Sequence, residues 1–112
     1  MSIATRINVD PVRSRGFATI GAGYLSVGDP LDHASTLLVF INDTNVTLMI
    51  SWNGVEDHQP ILPGGFVQDI STNRSFEGGY YAPEGQQFYI KHIGVAPTSG
   101  SFYITNYYSD EY

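Results

Sequence analysis

Residues 36–52 read TLLVFINDTNVTLMISW, two runs of apolar and β-branched residues on either side of Asn42-Asp43-Thr44-Asn45. Such runs flanking four turn-forming residues predict strand, tight turn, strand: a β-hairpin with Asp43 and Thr44 at its tip. If Asn42 faces Asn45, alternation sets Ile41 against Val46, Val39 against Leu48 and Leu37 against Ile50 on one face, the expected core. The reverse face pairs Phe40 with Thr47 and Leu38 with Met49. It is too apolar for a plain solvent surface and implies a second layer or a partner.

The rest of the chain gives shorter signals. Residues 1–16 have scattered apolar positions and no period, which predicts an extended arm with at most a short strand over 7–9. Residues 17–20 and 24–27 are short strand candidates, and Gly28-Asp29-Pro30 breaks the chain. After a polar loop over 53–60, Ile61-Leu62-Pro63-Gly64-Gly65-Phe66-Val67 predicts strand, corner, strand, the second strand running over 65–70. Residues 71–79 read as a connection, Tyr80-Tyr81-Ala82 leads out of it, and Pro83-Glu84-Gly85 is a further turn. Residues 86–93 and 101–108 alternate strictly and predict a second hairpin, with Phe88, Ile90, Phe102 and Ile104 inside and Tyr89, Tyr103, Thr105 and Tyr107 outside. Seven or eight short strands punctuated by Gly and Pro predict an all-β fold. The expected form is a single antiparallel β-sandwich, jelly-roll-like, over 17–112, preceded by the arm 1–16.

Composition narrows the function. One domain is all that 112 residues allow. No basic leader precedes an apolar run, and no run approaches the roughly 20 residues of a membrane span, so the expectation is a soluble chain made in the cytoplasm. Cysteine is absent, which excludes disulfides, thiolate metal sites and a cysteine nucleophile. The net charge of -6 excludes ordinary nucleic-acid binding, which needs clustered Lys and Arg. In the first 16 residues Arg6, Arg13 and Arg15 against Asp10 leave +2; in the rest Arg74 and Lys91 against ten acids leave -8. A basic arm therefore precedes an acidic body.

Candidate chemistry is sparse. Asp29, Asp32 and His33 are close in sequence but lack the regular oxygen spacing of a hard-cation loop and read as a polar loop. His58 reads as a loop residue, and His92 points inward near Phe102 with no second ligand at metal spacing. Gly64-Gly65 is followed by neither Lys-Ser/Thr nor a helix, so it is a corner and not a phosphate loop. No nucleophile with a base and no paired-carboxylate pattern is present, and the expectation is a protein that is not an enzyme and carries no cofactor or metal.

Leu38-Val39-Phe40-Ile41-Asn42-Asp43-Thr44, Ile50-Ser51-Trp52-Asn53-Gly54, Ile61-Leu62-Pro63-Gly64-Gly65-Phe66 and Asp69-Ile70-Ser71-Thr72-Asn73 together resemble the small β-sandwich structural proteins of tailed-bacteriophage virions. Pro83-Glu84-Gly85-Gln86-Gln87-Phe88-Tyr89-Ile90-Lys91 and Pro97-Thr98-Ser99-Gly100-Ser101-Phe102-Tyr103-Ile104 extend the likeness. The resemblance implies a virion location and one of two roles: a capsid decoration (cement) protein, trimeric and bound to the major capsid protein, or a neck or tail protein arranged as a ring. It carries over no site residues. A carbohydrate-binding module is the alternative from another class, through exposed Trp52 and Tyr rings, although Trp52 has core-facing parity. From the residues themselves, the expected partner contacts are Arg6, Arg13 and Arg15 of the arm, through carboxylates of an acidic neighbour, and Phe40, Met49, Tyr89 and Tyr103 on outward strand faces.

Overall fold

The structure is a computed structural model and describes residues 5–33, 35, 37–70 and 85–111, with the backbone alone for 5–7, 68–70 and 109–111. The connection expected over 71–79, the Tyr80-Tyr81-Ala82 segment and most of the Pro83-Glu84-Gly85 turn lie outside the described residues. Nine strands are described: β1 (Thr5–Val9), β2 (Arg13–Gly16), β3 (Leu25–Ser26), β4 (Leu37–Asn42), β5 (Leu48–Ser51), β6 (Gln59–Ile61), β7 (Phe66–Ile70), β8 (Tyr89–His92) and β9 (Ser101–Glu111). One 3-10 turn, Phe17–Thr19, follows β2, and no α-helix occurs among the described residues. The fold is all-β, as expected. Sheet A has five strands in the order β1-β9-β4-β7 with β2 also on β9; sheet B has four in the order β3-β8-β5-β6; every pairing is antiparallel.

The two sheets meet across one core. Leu38, Phe40, Phe102 and Ile104 come from sheet A, and Leu48, Ile50, Ile61 and Ile90 from sheet B, joined by Phe88 just ahead of β8 and by Ile20, Val27 and Leu31 from the connections. Phe40 spans the interface, edge-on to Phe88 at 5.1 Å and stacked near Phe102 at 6.3 Å. Trp52 packs edge-on against Phe88 at 4.7 Å, which engages one side of its indole with the core.

The central hairpin does not form. β4 and β5 belong to different sheets, β4 lying between β9 and β7, and the Asp43–Thr47 segment is an arch that carries the chain across the core. Asn42 is the cause. Its buried side chain accepts from the Thr44 amide (2.9 Å) and hydroxyl (2.5 Å) and donates to the carbonyls of Val46, Ile61 and Leu62 at 2.9, 3.0 and 3.2 Å. An amide that satisfies so many backbone groups is held inside. Alternation from Asn42 then turns Phe40 and Leu38 inward and Leu37, Val39 and Ile41 outward, the reverse of the expected parity on β4. On β5 the expected parity holds, with Leu48 and Ile50 buried.

The second hairpin is also an arch. β8 lies in sheet B and β9 in sheet A, yet Phe88, Ile90, Phe102 and Ile104 all face the core as expected. The two arches lock together: Asn45 donates to the Thr98 hydroxyl (2.8 Å) and accepts from the Thr98 amide (2.9 Å). Gly100, at φ 85°, lies so close to this crossing that a Cβ would overlap the Asp43 carbonyl. Only glycine fits there.

Residues 5–16, expected as a separate arm, are extended but hydrogen-bonded along β9 as the edge of sheet A. Asp10, Pro11 and Val12 stand against only Thr105 and Asn106, a bulge that suits a proline because no ladder N–H is needed there. The extra residue reverses parity between β1 and β2. It leaves Val9 outside with Tyr107 and turns Arg13 inside with Ile104.

Candidate functional site

The seven residues expected to touch a partner fall in different places. Phe40 is in the core at 2% exposure, for the parity reason given above, and does not reach a partner. Arg13 is 6% exposed. Its guanidinium donates to the carbonyls of Pro11 (2.6 Å), Asp29 (3.0 Å) and Pro30 (2.7 Å) and lies 3.5 Å from the Asp32 carboxylate. A buried charge needs such a cage, and a guanidinium held inside it does not reach a neighbour. Arg15 is likewise engaged within the chain, donating to the carbonyls of Ser26 and Thr19 at 2.9 Å each. Both arginines pin β2 to the following connections instead of reaching outward. The side chain of Arg6 lies outside the described residues. Met49 and Tyr89 are half-buried on the outer side of sheet B, and Tyr103 is half-buried on the outer side of sheet A.

The outer face of sheet A is the broad candidate surface. Register places Phe66, Ile41, Tyr103 and Ser14 in one row across β7, β4, β9 and β2. Val39 with Thr105 forms the next row, and Leu37, Tyr107 and Val9 a third. Phe66 is 67% exposed, Val9 and Ile41 are also exposed, and the others except Ser14 are half-buried. No Asp, Glu, Lys, Arg or His occurs in these rows among the described side chains. An open apolar face of this kind marks an interaction surface. Sequence reasoning placed Tyr103, Thr105 and Tyr107 on the outward side but missed Ile41 and Val39, because both sides of β4 are apolar; the clue was Asn42, whose polar turn chemistry fixes the parity, and Phe66 on β7 was given no facing.

A polar cluster closes one end of the core. The bulge turns Asp10 inward, where its carboxylate accepts from His33 Nδ1 at 2.7 Å and from Asn106 Nδ2 at 2.8 Å; the same Asn106 amide donates to the His33 carbonyl at 3.0 Å. Burial raises the Asp10 pKa, but the hydrogen bonds from Asn106 and His33 and the charges of His33 and Arg13 outweigh it, and the carboxyl sits below its ordinary value. Tyr108 stacks on the His33 ring at 3.8 Å, the rings 8° from parallel. A buried Asp orienting a His is the supporting half of a hydrolytic triad. Among the described residues, however, no hydroxyl nucleophile is hydrogen-bonded to His33. The cluster ties the bulge, the loop before β4 and β9 together.

On the outer side of sheet B the Tyr24 hydroxyl donates to Asp57 Oδ1 at 2.5 Å, and Lys91 Nζ lies 3.2 Å from the same oxygen and 4.7 Å from the centre of the Tyr24 ring. Burial, the hydrogen bond to Asp57 and its negative charge push the Tyr24 pKa well up; the hydrogen bonds from Tyr24 and Lys91 hold Asp57 below the ordinary carboxylate range. Among the described residues no group of three or more His, Asp or Glu is placed to hold a metal ion, and no helix is long and apolar enough to cross a membrane. No family model and no curated protein matches the chain.

Proposed function

We propose that this chain is a non-enzymatic structural protein of a tailed-phage virion: a decoration (cement) protein, trimeric, that binds the major capsid protein and holds neighbouring shell subunits together. The observation that carries this reading is the outer face of sheet A, an open surface of Leu37, Val39, Ile41, Phe66, Tyr103 and Tyr107 without a charged side chain among its described rows. Such a face favours a protein partner. A saccharide brings hydroxyls that need donors and acceptors, and Leu37, Val39 and Ile41 at its middle offer none.

The strand order supports the same reading. Each sheet interleaves early and late strands, β1 and β2 beside β9 and β3 beside β8, with β4 and β5 next inward. Two nested Greek keys give this order, and we assign the sandwich to the jelly-roll type, an architecture that viral capsid domains use.

Purified particles carrying the chain test the proposal by copy number and by occupancy of face variants. Hundreds of copies per particle, lost with Phe66→Asp and Ile41→Asp but kept with Val55→Asp, are expected. A dozen copies or fewer would move the protein to the neck or tail, and its absence from particles would overturn the virion reading.

A further inference from the structure

The other side of the sandwich holds a cleft of ≈ 420 Å³ that the proposed shell contact leaves free, lined by Ala22, Met49, Asp57, Lys91, His92 and Ile93 together with Gly94. Its volume lies in the range of roughly 300–1,000 Å³ usual for small-ligand sites. Met49 and Lys91 stand opposite each other on β5 and β8 with side chains on the outer face, since their neighbours Leu48, Ile50 and Ile90 are fully buried. Lys91 and Asp57, 3.2 Å apart, cancel in charge. The Tyr24 hydroxyl and ring hold both of them in place, one by a hydrogen bond and the other by a cation–π contact.

We infer that this cleft binds a neutral saccharide unit. A paired ammonium and carboxylate suits two adjacent hydroxyls of a pyranose, one accepting from Lys91 and one donating to Asp57. With Asp57 Oδ1 already taken by Tyr24 and Lys91, its Oδ2 and the remaining ammonium protons are the groups left for a ligand. Because the pair carries no net charge, it offers neither an anion nor a cation a net attraction, and its adjacent donor and acceptor suit a neutral polar molecule. Met49, Ala22 and Ile93 offer an apolar wall to the C–H face of the sugar ring. Because Tyr24 fixes the charged pair before any ligand arrives, little ordering cost falls on binding.

The inference does not rest on the shell contact, since the cleft and the outer face of sheet A lie on opposite sides of the core. The 112-residue chain has two methionines, so a Met-methyl-labelled sample gives Met49 as the reporter and Met1 as an internal control. Methyl glycosides of glucose, galactose, mannose and N-acetylglucosamine are titrated in turn, with a neutral tripeptide as the comparison. At least one glycoside is expected to shift the Met49 methyl saturably in the millimolar range and leave Met1 unmoved. Asp57→Asn is expected to weaken that binding about tenfold, the loss of a charge-assisted hydrogen bond, with the fold retained in the far-UV circular dichroism spectrum. Three results overturn the inference: no glycoside moves Met49, Asp57→Asn and Lys91→Met both bind as wild type does, or only the tripeptide binds.

Discussion

Among the described residues Asp10 is the only buried carboxylate, and the chain provides for it with an Asn, a His and a nearby Arg. Its pKa in the folded protein lies below the ordinary 3.8 that it regains on unfolding. The unfolded state therefore binds the proton more readily. The stability that Asp10 contributes is present above pH 3.8 and is lost as pH falls through the lower folded value. Asp10→Asn removes this contribution. Urea midpoints followed from about pH 7 to about pH 2 should show the variant less stable than wild type at neutral pH, with the gap closing on the acid side. A gap of the same size across the whole range would mean that ionisation of Asp10 is not linked to folding.

At the level of elements, alternation in the sequence placed Leu48, Ile50, Phe88, Ile90, Phe102 and Ile104 inside, and all six are core residues. It could not say which strand lies beside which. A strand's inward side chains look the same whether their neighbours sit next to them or across the core, so two arches read as two hairpins. Parity failed only on β4, where both faces are apolar and a buried Asn decided the matter. Of the candidate surface, Tyr103, Thr105 and Tyr107 were legible, while Ile41 and Val39 depended on that parity. The N-terminal residues were illegible for another reason: their pairing to β9 is set by backbone groups, which leave little trace in side-chain pattern. Deleting residues 1–16 strips β1 and β2 from sheet A, uncovers the edge of β9 and removes both Asp10 from Asn106 and Arg13 from its carbonyl cage. The truncated protein should aggregate or melt well below the intact one in a thermal scan. A truncated protein that melts with the wild type would show that these strands are an independent arm.

For the whole molecule, the question is how an acidic body with an uncharged face associates. Four strands about 4.8 Å apart and five residues long, at about 3.4 Å per residue, give a face of roughly 330 Å², less than half of the about 800 Å² that one partner buries in a standard interface. One such contact is weak, and firm attachment needs several acting together, as in a trimer seated on a repeating shell. In isolation the protein should self-associate only at high concentration. The sign of its salt dependence then distinguishes two mechanisms. Were the arginines of the N-terminal segment the contacts, added salt would screen them and weaken association. Arg13 and Arg15 are engaged within the chain, and the described face has no charges, while the net charge of -6 makes copies repel. Salt should therefore leave self-association unchanged or strengthen it, and Phe66→Asp should abolish it without lowering the melting midpoint, because Phe66 is 67% exposed. Sedimentation over a range of salt concentrations reads both effects. Association that falls as salt rises, or that survives Phe66→Asp, would return the contact to charged groups away from this face.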